Sequence, residues 1–289
     1  MMQVYIIIPV YNEEKYLEKT LESLVNQIYL PKKICIVDDN STDATPIIIE
    51  KFTSKYEWIS TIKTNATHQH LPGAKVVNSF LYGLQSLDEN YDLLCKFDAD
   101  LIFPKNYLED IVKAFYQNIN LGMAGGFCYI QKNGKWVLEN LTASDHIRGA
   151  LKCYRQACYK EIGGLIPAMG WDTLDEMLAL YNNWEIRTFP DLQVKHLKPT
   201  GRDYHKKSKF NQGIAFYQMR YRPLLTFLAT LKLAVKRKSL KYFINTIRGY
   251  FRAYVGRKPF LINKEQGAFI RGLRWKNIMH KYLNLKKLK

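Results

Sequence analysis

The 289-residue sequence lacks a long hydrophobic run. Its best apolar stretch, residues 223–235, is interrupted by Lys232 and is far shorter than the roughly 20 residues that a membrane-spanning helix needs. The first residues lead directly into a strand-like segment, without the basic segment, long apolar core and cleavage site that mark a signal peptide. We therefore expect neither a transmembrane helix nor a signal peptide, and a cytoplasmic protein.

Cysteine is scarce and scattered. The sequence has no CxxC motif, and its spacings do not match a zinc knuckle. An odd number of cysteines without metal-binding spacing predicts buried or half-buried free thiols in a reducing compartment. The five cysteines are Cys35, Cys95, Cys128, Cys153 and Cys158.

Acidic residues are almost absent beyond residue 200. Residues 201–289 contain 23 Lys and Arg against only Asp203 and Glu265, a balance of +21. Residues 1–200 contain 20 Lys and Arg against 24 Asp and Glu, so the net charge of +17 comes from the basic end of the chain. Such a segment predicts an anionic partner, either anionic lipid or nucleic acid.

Strand-like and helix-like segments alternate over the first 120 residues. The strand-like segments are residues 4–10, 34–37, 58–62 and 91–97, and the helix-like segments are residues 16–25, 47–52, 76–87 and 104–115. Asn12 and Asp43 are predicted to cap the first two helices. This alternation predicts an α/β fold, with a mostly parallel sheet covered by helices on both faces.

The second half of the sequence has a different pattern. Residues 123–138 predict a hairpin that turns at Asn133-Gly134, and residues 185–189 and 192–196 predict two short strands. Two helices are predicted, over residues 147–159 and over residues 171–181. The first of them would carry Arg148 and Arg155. Beyond residue 201 the pattern is basic, aromatic and helical.

Three polar clusters follow predicted strands. They are Pro9 to Glu13, Asp38 to Asp43, and Asp98-Ala99-Asp100. In an open parallel sheet, ligands bind beyond the carboxyl ends of the strands. Asp98 and Asp100 have the spacing to face one Mn²⁺ or Mg²⁺, which would neutralise the charge on a departing diphosphate. Turn formation is the alternative role for Asp38 and Asp39, and helix capping for Asp43.

The segments PVYNEE, VDDNSTD and FDAD, in this order and spacing, resemble the inverting family-two glycosyltransferases with the GT-A fold. The resemblance covers roughly residues 3–200. It implies a glycosyltransferase domain over residues 1–205, divided at residue 120 into a nucleotide-sugar half and an acceptor half. Residues 206–289 would follow as a basic, aromatic, helical region that associates with the membrane.

The resemblance also implies roles for individual residues. Pro9, Tyr11 and Glu13 would line the base and ribose pocket, and Asp39, beside Asp38, would accept a hydrogen bond from the base. Asp98 and Asp100 would be the metal and ribose-phosphate ligands. His196 matches a late histidine that contacts the metal or the diphosphate, although a single histidine can also be structural.

The family's Ala-Arg-Asn triplet is only partly matched. Asn78 matches its asparagine, but Val77 stands where the arginine is expected. Lys75 either substitutes for that arginine in binding phosphate or is a surface lysine. Arg148 and Arg155 are further candidates for contacts with the diphosphate or with an acidic acceptor, or are solvated helix charges.

The segment from Gly170 to Glu176 resembles the family's acidic motif. It places Asp172 at the catalytic base, which takes the proton of the acceptor hydroxyl, and puts Trp171 in place of the usual Glu. Asp175 and Glu176 are the alternatives, since a helix brings them near the same face as Asp172. An N-cap with helix-dipole charges is the remaining interpretation.

Three functions remain in competition. The leading one is transfer of a sugar from a nucleotide-diphosphate sugar to a lipid-linked or saccharide acceptor, in cell-surface polysaccharide or glycolipid synthesis. The basic, aromatic end favours a peripheral position at the inner face of the cell membrane, against a solvated basic face over a small helical core. Nucleic-acid binding lacks a recognised motif, and a sugar-phosphate nucleotidylyltransferase requires a glycine-rich basic loop that PVYNEE does not provide.

Overall fold

The computed structural model describes residues 1–64, 73–139, 144–198 and 210–286, with side chains as far as residue 280. Contacts divide the chain into two compact units. The first unit contains Met1–Pro167 and Trp171–Thr200, and the second contains Ala168–Gly170 and Gly201–Lys289. None of the helices in the described ranges is both long and apolar enough to cross a membrane.

The first unit is built on one nine-stranded sheet, in the order β3-β2-β1-β4-β8-β6-β9-β5, with β7 paired to β6. Its strands are β1 Val4–Val10, β2 Lys33–Asp38, β3 Ile59–Lys63, β4 Leu93–Phe97, β5 Leu101–Ile102, β6 Leu121–Lys132, β7 Lys135–Leu138, β8 Leu151–Arg155 and β9 Glu185–His196. The four strands β3, β2, β1 and β4 are mutually parallel. Antiparallel pairing begins where β8 joins β4, so the second half of the sheet is mixed rather than parallel.

Helices cover this sheet. They are α1 Leu17–Val25, α2 Thr45–Lys55, α3 Ala74–Gln85, α4 Tyr107–Gln117, α5 Gln156–Glu161 and α6 Trp171–Tyr181. Successive residues of β1, such as Ile6 and Ile7, are both buried although they point to opposite faces, as expected for a strand covered on both sides. Helix α3 packs directly on the sheet, because a Cβ at Gly83 would lie only 2.6 Å from Cγ2 of Val37.

The predicted α/β fold is confirmed, and so is the predicted hairpin. Lys132 and Lys135 pair at the end of β6 and β7, and Asn133 and Gly134 between them have φ values of 48° and 77°. A two-residue turn of type I′ requires positive φ at both central positions, and Asn-Gly is its preferred sequence. All five cysteines are buried and free, as predicted.

Three local predictions are wrong. Residues 147–159 form strand β8 followed by the short helix α5, because Leu151 to Tyr154 are buried on both faces of the sheet. The two short strands predicted over residues 185–196 form the single strand β9, whose pairing with β6 is irregular near Gly125. Helix α1 begins at Leu17 and not after Asn12, which adopts φ 53° and whose Oδ1 accepts the Thr42 N–H.

The second unit is helical, as the sequence predicts. Its helices are α7 Asn211–Gln218, α8 Pro223–Lys236, α9 Leu240–Val255 and α10 Lys264–Lys286. Helices α7 and α9 cross at close range, since a Cβ on Gly213 would overlap the Thr246 carbonyl oxygen and one on Gly249 would overlap that of Phe210. The Tyr250 hydroxyl donates to the Tyr221 carbonyl 2.8 Å away, which completes a small buried core.

Candidate active site

The three polar clusters lie where the sequence places them, after β1, β2 and β4. These strands are parallel neighbours, so their carboxyl ends meet at one edge of the sheet. This edge is where an open α/β sheet binds its ligands.

Tyr11, Asp39 and Lys75 form one group at this edge. The buried Asp39 accepts the Thr64 hydroxyl at 2.6 Å through Oδ1, and its Oδ2 lies 2.9 Å from the Lys75 ammonium. The same ammonium lies 3.9 Å from the centroid of the half-exposed Tyr11 ring, within cation–π range. Lys75 therefore contacts two of the predicted nucleotide-binding residues.

The other predicted nucleotide-binding residues flank this group. Asp38 has the turn role: its Oδ1 accepts the Ser41 N–H at 2.9 Å, while its buried Oδ2 has no hydrogen-bond partner in the described part of the chain. Pro9 lies near the end of β1, and Asn78 is half-buried on α3. Val77 is fully buried in the core, which explains why this position does not present a polar side chain.

Glu13 carries a second unpartnered carboxylate oxygen. Its Oε1 lies 3.3 Å from the Lys198 ammonium, whereas its buried Oε2 has no hydrogen-bond partner among the described residues. Burial raises the pKa of Glu13 to about 7; Lys198 opposes this shift, and Asp100 and Asp98 add to it. Three carboxylates thus share a region of negative potential that a divalent cation would relieve.

Asp98 and Asp100 are held differently. Asp98 is partly exposed and pairs with the buried ammonium of Lys96, which also donates to the Gly149 carbonyl at 2.9 Å. Asp100 is buried, and its Oδ2 lies 3.4 Å from Nε2 of His196. The pairing of β5 with β9, which sets Leu101 opposite His196, brings this histidine to Asp100.

His196 is oriented by Glu139. Its Nδ1 lies 3.0 Å from Oε2 of Glu139, a carboxylate that also accepts from Arg148 at 2.9 Å. Burial alone would lower the pKa of His196, but Asp100 and Glu139 raise it to about 9. Once it has lost the proton on Nε2, a histidine that donates through Nδ1 to a carboxylate presents a lone pair to a metal. Because its pKa is about 9, His196 would have to release that proton for Mn²⁺ or Mg²⁺ to bind beside Asp100.

Cys128 also lies near this histidine. The ligand atoms of Cys128, Glu139 and His196 all lie within 4.8 Å of one another. Burial raises the pKa of the Cys128 thiol to about 12, and Arg148 pairs with Glu139. A soft thiol is not a ligand that Mn²⁺ or Mg²⁺ prefers, and Glu139 is already engaged by Arg148 and His196.

Asp172 lies in the first turn of α6, and its side chain is 32% exposed. Nε2 of His146 lies 3.6 Å from its Oδ2. Burial acts to raise the pKa of Asp172, but His146 and Lys152 outweigh it and hold the pKa below its ordinary value. Asp172 is thus an ionised carboxylate with access to solvent, as a base requires.

The two alternative bases are engaged in the interior. The fully buried Lys152 lies 2.8 Å from Asp175 and 3.1 Å from Glu176, and the Tyr154 hydroxyl donates to Asp175 at 2.6 Å. Glu176 further contacts Nδ1 of His146 at 2.8 Å and accepts a backbone N–H. Asp175 is only 2% exposed and Glu176 11%, so both are less accessible to an acceptor than Asp172.

Sequence reasoning missed four residues that organise this site: Lys96, Glu139, His146 and Lys152. A signal existed for the two lysines, because each interrupts an apolar strand. The predicted helix over residues 147–159 concealed Lys152. Of the two arginines assigned to that helix, Arg148 pairs with Glu139. Arg155 binds the carbonyls of Phe115, Asn118 and Leu121, so it holds the backbone and not a ligand.

Solved structures show the same fold. TarS residues 1–349 from S. aureus, in complex with UDP-GlcNAc, match with a TM-score of 0.58 and 24% identity over 76% of this chain and 65% of that one. The mannosyltransferase PcManGT from Pyrobaculum calidifontis, in complex with GDP-Man and Mn²⁺, matches with a TM-score of 0.55 and 13% identity over 99% and 83% of the two chains. At these identities the likeness concerns the fold, which is GT-A.

The sequence has relatives as well. It is 34% identical over 214 residues to the probable glycosyltransferase YdaM of Bacillus subtilis, which covers 65% of this chain and 49% of the relative. The match therefore spans about half of the relative's length. The family model for glycosyl transferase family 2 matches residues 5–167, more than half of the chain. This chain belongs to glycosyl transferase family 2.

Proposed function

We propose that this protein is an inverting glycosyltransferase that moves a sugar from a nucleotide-diphosphate sugar to a hydroxyl of a lipid-linked or saccharide acceptor. The arrangement of Asp100, His196 and Glu139 carries this proposal. His196 lies at the edge of the sheet where ligands bind, with Nε2 3.4 Å from Asp100 of the Asp98-Ala99-Asp100 cluster and Nδ1 3.0 Å from Glu139. Family membership and the GT-A fold support the same assignment.

The donor's nucleoside would bind at Tyr11 and Asp39. An aromatic face and a buried carboxylate suit a nucleobase, which stacks on the ring and donates a hydrogen bond to the acid. Lys75 now lies over that ring, so it would have to move aside when the base binds. Its ammonium would then be available to pair with the diphosphate, in place of the arginine that Val77 does not supply.

Mn²⁺ or Mg²⁺ would be held by Asp98, Asp100 and His196. The bound ion would supply Lewis-acid stabilisation of the departing diphosphate. Glu139 fixes the orientation of the histidine, and Lys96 fixes that of Asp98.

Asp172 would act as the base. Its carboxylate takes the proton of the acceptor hydroxyl as that oxygen attacks the anomeric carbon from the side opposite the diphosphate, which inverts the configuration. His146 positions the carboxylate, and Lys152 anchors α6 through Asp175 and the Asp172 carbonyl.

The acceptor would be presented at the inner face of the cell membrane, with the second unit held on anionic lipid. The charge of +21 beyond residue 200 supports this location. Attraction of this kind contributes about 1 kcal/mol per Lys or Arg near the surface.

Donor binding and turnover test the proposal together. The purified protein is screened by thermal shift against UDP, GDP and related nucleotides, with and without Mn²⁺, and then assayed with the matching nucleotide sugar. Ligands that bind the folded state raise its melting temperature by mass action. We expect one nucleotide diphosphate to stabilise the protein in a Mn²⁺-dependent way and its sugar to be transferred. Equal stabilisation and full activity in EDTA would contradict the metal assignment, and no nucleotide binding at all would contradict the function.

A further inference from the structure

Helix α8 is apolar on two opposite faces. One face, with Leu225, Thr226, Thr230 and Ala234, is buried within the second unit. The opposite face carries four large, exposed apolar side chains. They begin at Leu224 and recur three, seven and eleven residues later, at Phe227, Leu231 and Val235. Contiguous exposed apolar side chains on a helix mark an interaction surface, and this stripe is exposed in the described part of the chain.

Helix α9 has the same organisation with charge added. Its inward face is formed by Thr246, Gly249, Tyr250 and Ala253. Its outward apolar stripe consists of Leu240, Ile244, Phe251 and Val255, all exposed. Next to this stripe, at helical spacing, runs a row of exposed cations: Lys241, Arg248 and Arg252.

The two stripes belong to neighbouring helices that contact each other. Phe227 at the edge of the first stripe packs edge-to-face on Phe243 of α9, with ring centroids 5.5 Å apart. Residues 237–239 join the two helices. Val235, the last residue of the first stripe, is therefore close in the sequence to Leu240, the first residue of the second. We call these eight exposed residues, four from each helix, the α8–α9 apolar face.

We propose that the α8–α9 apolar face docks in the plane of an anionic lipid bilayer, with its apolar side chains among the acyl chains and Lys241, Arg248 and Arg252 at the headgroup phosphates. This inference rests on the membrane location proposed above and assigns the residues that would provide it. Interfacial helices combine an apolar face with an adjoining row of cations in this way. The lengths of α8 and α9 are consistent with helices that lie in the plane of the bilayer. At 14 and 16 residues they extend only about 21–24 Å, which is too short to span it.

Charge argues against a second copy of the chain as the partner. Neither α8 nor α9 contains an acidic residue, and Lys232, Lys236 and Lys238 add to the cations around the face. A symmetric dimer through this face would place like charges opposite each other, which is unfavourable. The partner must offer apolar area and negative charge together, as an anionic bilayer does.

Vesicle flotation with the full-length protein tests the inference. Vesicles of phosphatidylglycerol with phosphatidylcholine are compared with vesicles of phosphatidylcholine alone. We expect strong binding to the former and at least roughly 10-fold weaker binding to the latter. High salt should release only part of the protein, because it screens the cations but leaves apolar insertion intact.

Two double variants separate the apolar and cationic parts. Leu231→Gln with Phe251→Gln should weaken binding roughly 10-fold or more, since two inserted side chains are lost. Lys241→Gln with Arg248→Gln should weaken it roughly 10- to 30-fold at low salt and much less at high salt. The controls lie on α10: Met279→Gln removes one exposed apolar side chain, and Lys264→Gln with Lys276→Gln removes two exposed charges, as the cationic double variant does.

The outcomes distinguish this inference from the proposals it rests on. If the wild type binds anionic vesicles and only the α10 variants lose this binding, the α8–α9 apolar face is not the docking surface, and the membrane location stands. Equal binding to neutral and anionic vesicles would overturn the role of the cations. No vesicle binding, with concentration-dependent dimerisation that Leu231→Gln abolishes, would assign the face to a second copy. Mn²⁺-dependent nucleotide binding, measured on every variant, reports separately on the proposed catalytic function.

Discussion

Lys96 and Lys152 are direct cross-strand partners in the antiparallel pair of β4 and β8, and both are buried. Their ammonium groups lie 5.5 and 5.9 Å from the Trp171 ring. Like charges directly opposite in a sheet are destabilising, so each lysine needs its own carboxylate. Lys96 has Asp98 and Lys152 has Asp175 and Glu176. The pair therefore links the proposed donor side of the site to the helix that carries the proposed base.

Removal of the Lys152 cation should destabilise the fold. Lys152→Met leaves the buried carboxylates of Asp175 and Glu176 without their counter-charge, and loss of one partner of a buried ion pair costs about 3–5 kcal/mol. Urea unfolding measures the change. Lys160→Met is the control, because Lys160 is an exposed lysine paired with exposed Glu89 and should change stability by less than about 0.5 kcal/mol. If Lys152→Met unfolded at the same urea concentration as the wild type, Asp175 and Glu176 would not both be ionised.

Asp172→Asn should separate chemistry from binding. The amide keeps the shape of the side chain but cannot take a proton, so kcat should fall about 10²- to 10⁴-fold with nucleotide affinity unchanged. Steady-state rates and a nucleotide titration measure the two quantities. Asp175→Asn is the comparison, and it should reduce stability more than it reduces kcat in the folded fraction. The reverse pattern would move the base to Asp175.

The proposed metal site should depend on a residue that does not contact the metal. Asp100→Asn and His196→Gln should abolish Mn²⁺-dependent stabilisation by the nucleotide. Glu139→Gln should weaken Mn²⁺ affinity about 10- to 100-fold, because it only orients His196. Mn²⁺ titration in a thermal-shift assay measures these changes. Cys128→Ala should leave the affinity unchanged, and a loss there would make the thiol a ligand.

Lys75→Ala should have opposite effects on two related ligands. Without the ammonium over Tyr11, the base of a free nucleoside meets no competitor, so its affinity should rise a few-fold. The nucleoside diphosphate loses a cation near its phosphates and should bind about 10-fold more weakly. Calorimetric titration of both ligands checks this, with the exposed Lys63→Ala as control. If both affinities fall, Lys75 contacts the nucleoside directly and does not compete with it.

His146 should make stability depend on pH. Burial alone would lower its pKa, but Asp172 and Glu176 raise it to about 9, while Lys152 opposes them. The folded state thus binds the proton more tightly than the unfolded state, whose pKa is about 6.5. The contribution, about 1–3 kcal/mol, is fully present below pH about 6.5 and is lost as the pH rises through about 9. Urea unfolding across this range should show the decline. Since His196 also has a pKa of about 9 and contributes in the same range, His146→Gln should reduce the decline without removing it, whereas the exposed His280→Gln should leave it unchanged.

The sequence was most informative where strand and turn chemistry are local. The apolar run of β1 and the Asn133-Gly134 turn depend on neighbouring residues, and both are present in the structure. It was least informative for β8, where the buried Lys152 suits a strand only because Asp175 reaches it from α6, 23 residues away. Contacts of this kind, like that of Glu139 with His196, arise from tertiary structure and leave no periodic signal in the sequence.

The glycines at the α7–α9 crossing give α9 two faces with different tolerance of mutation. Gly249 meets backbone, so any side chain there would force the helices apart, whereas Phe251 and Ile244 meet solvent. Variants selected only for folding should therefore retain Gly213 and Gly249, whereas their outward positions should also accept polar residues. A selection for function in cells should retain apolar residues outside as well. The difference between the two selections, position by position along α9, would measure what the outward face contributes beyond folding.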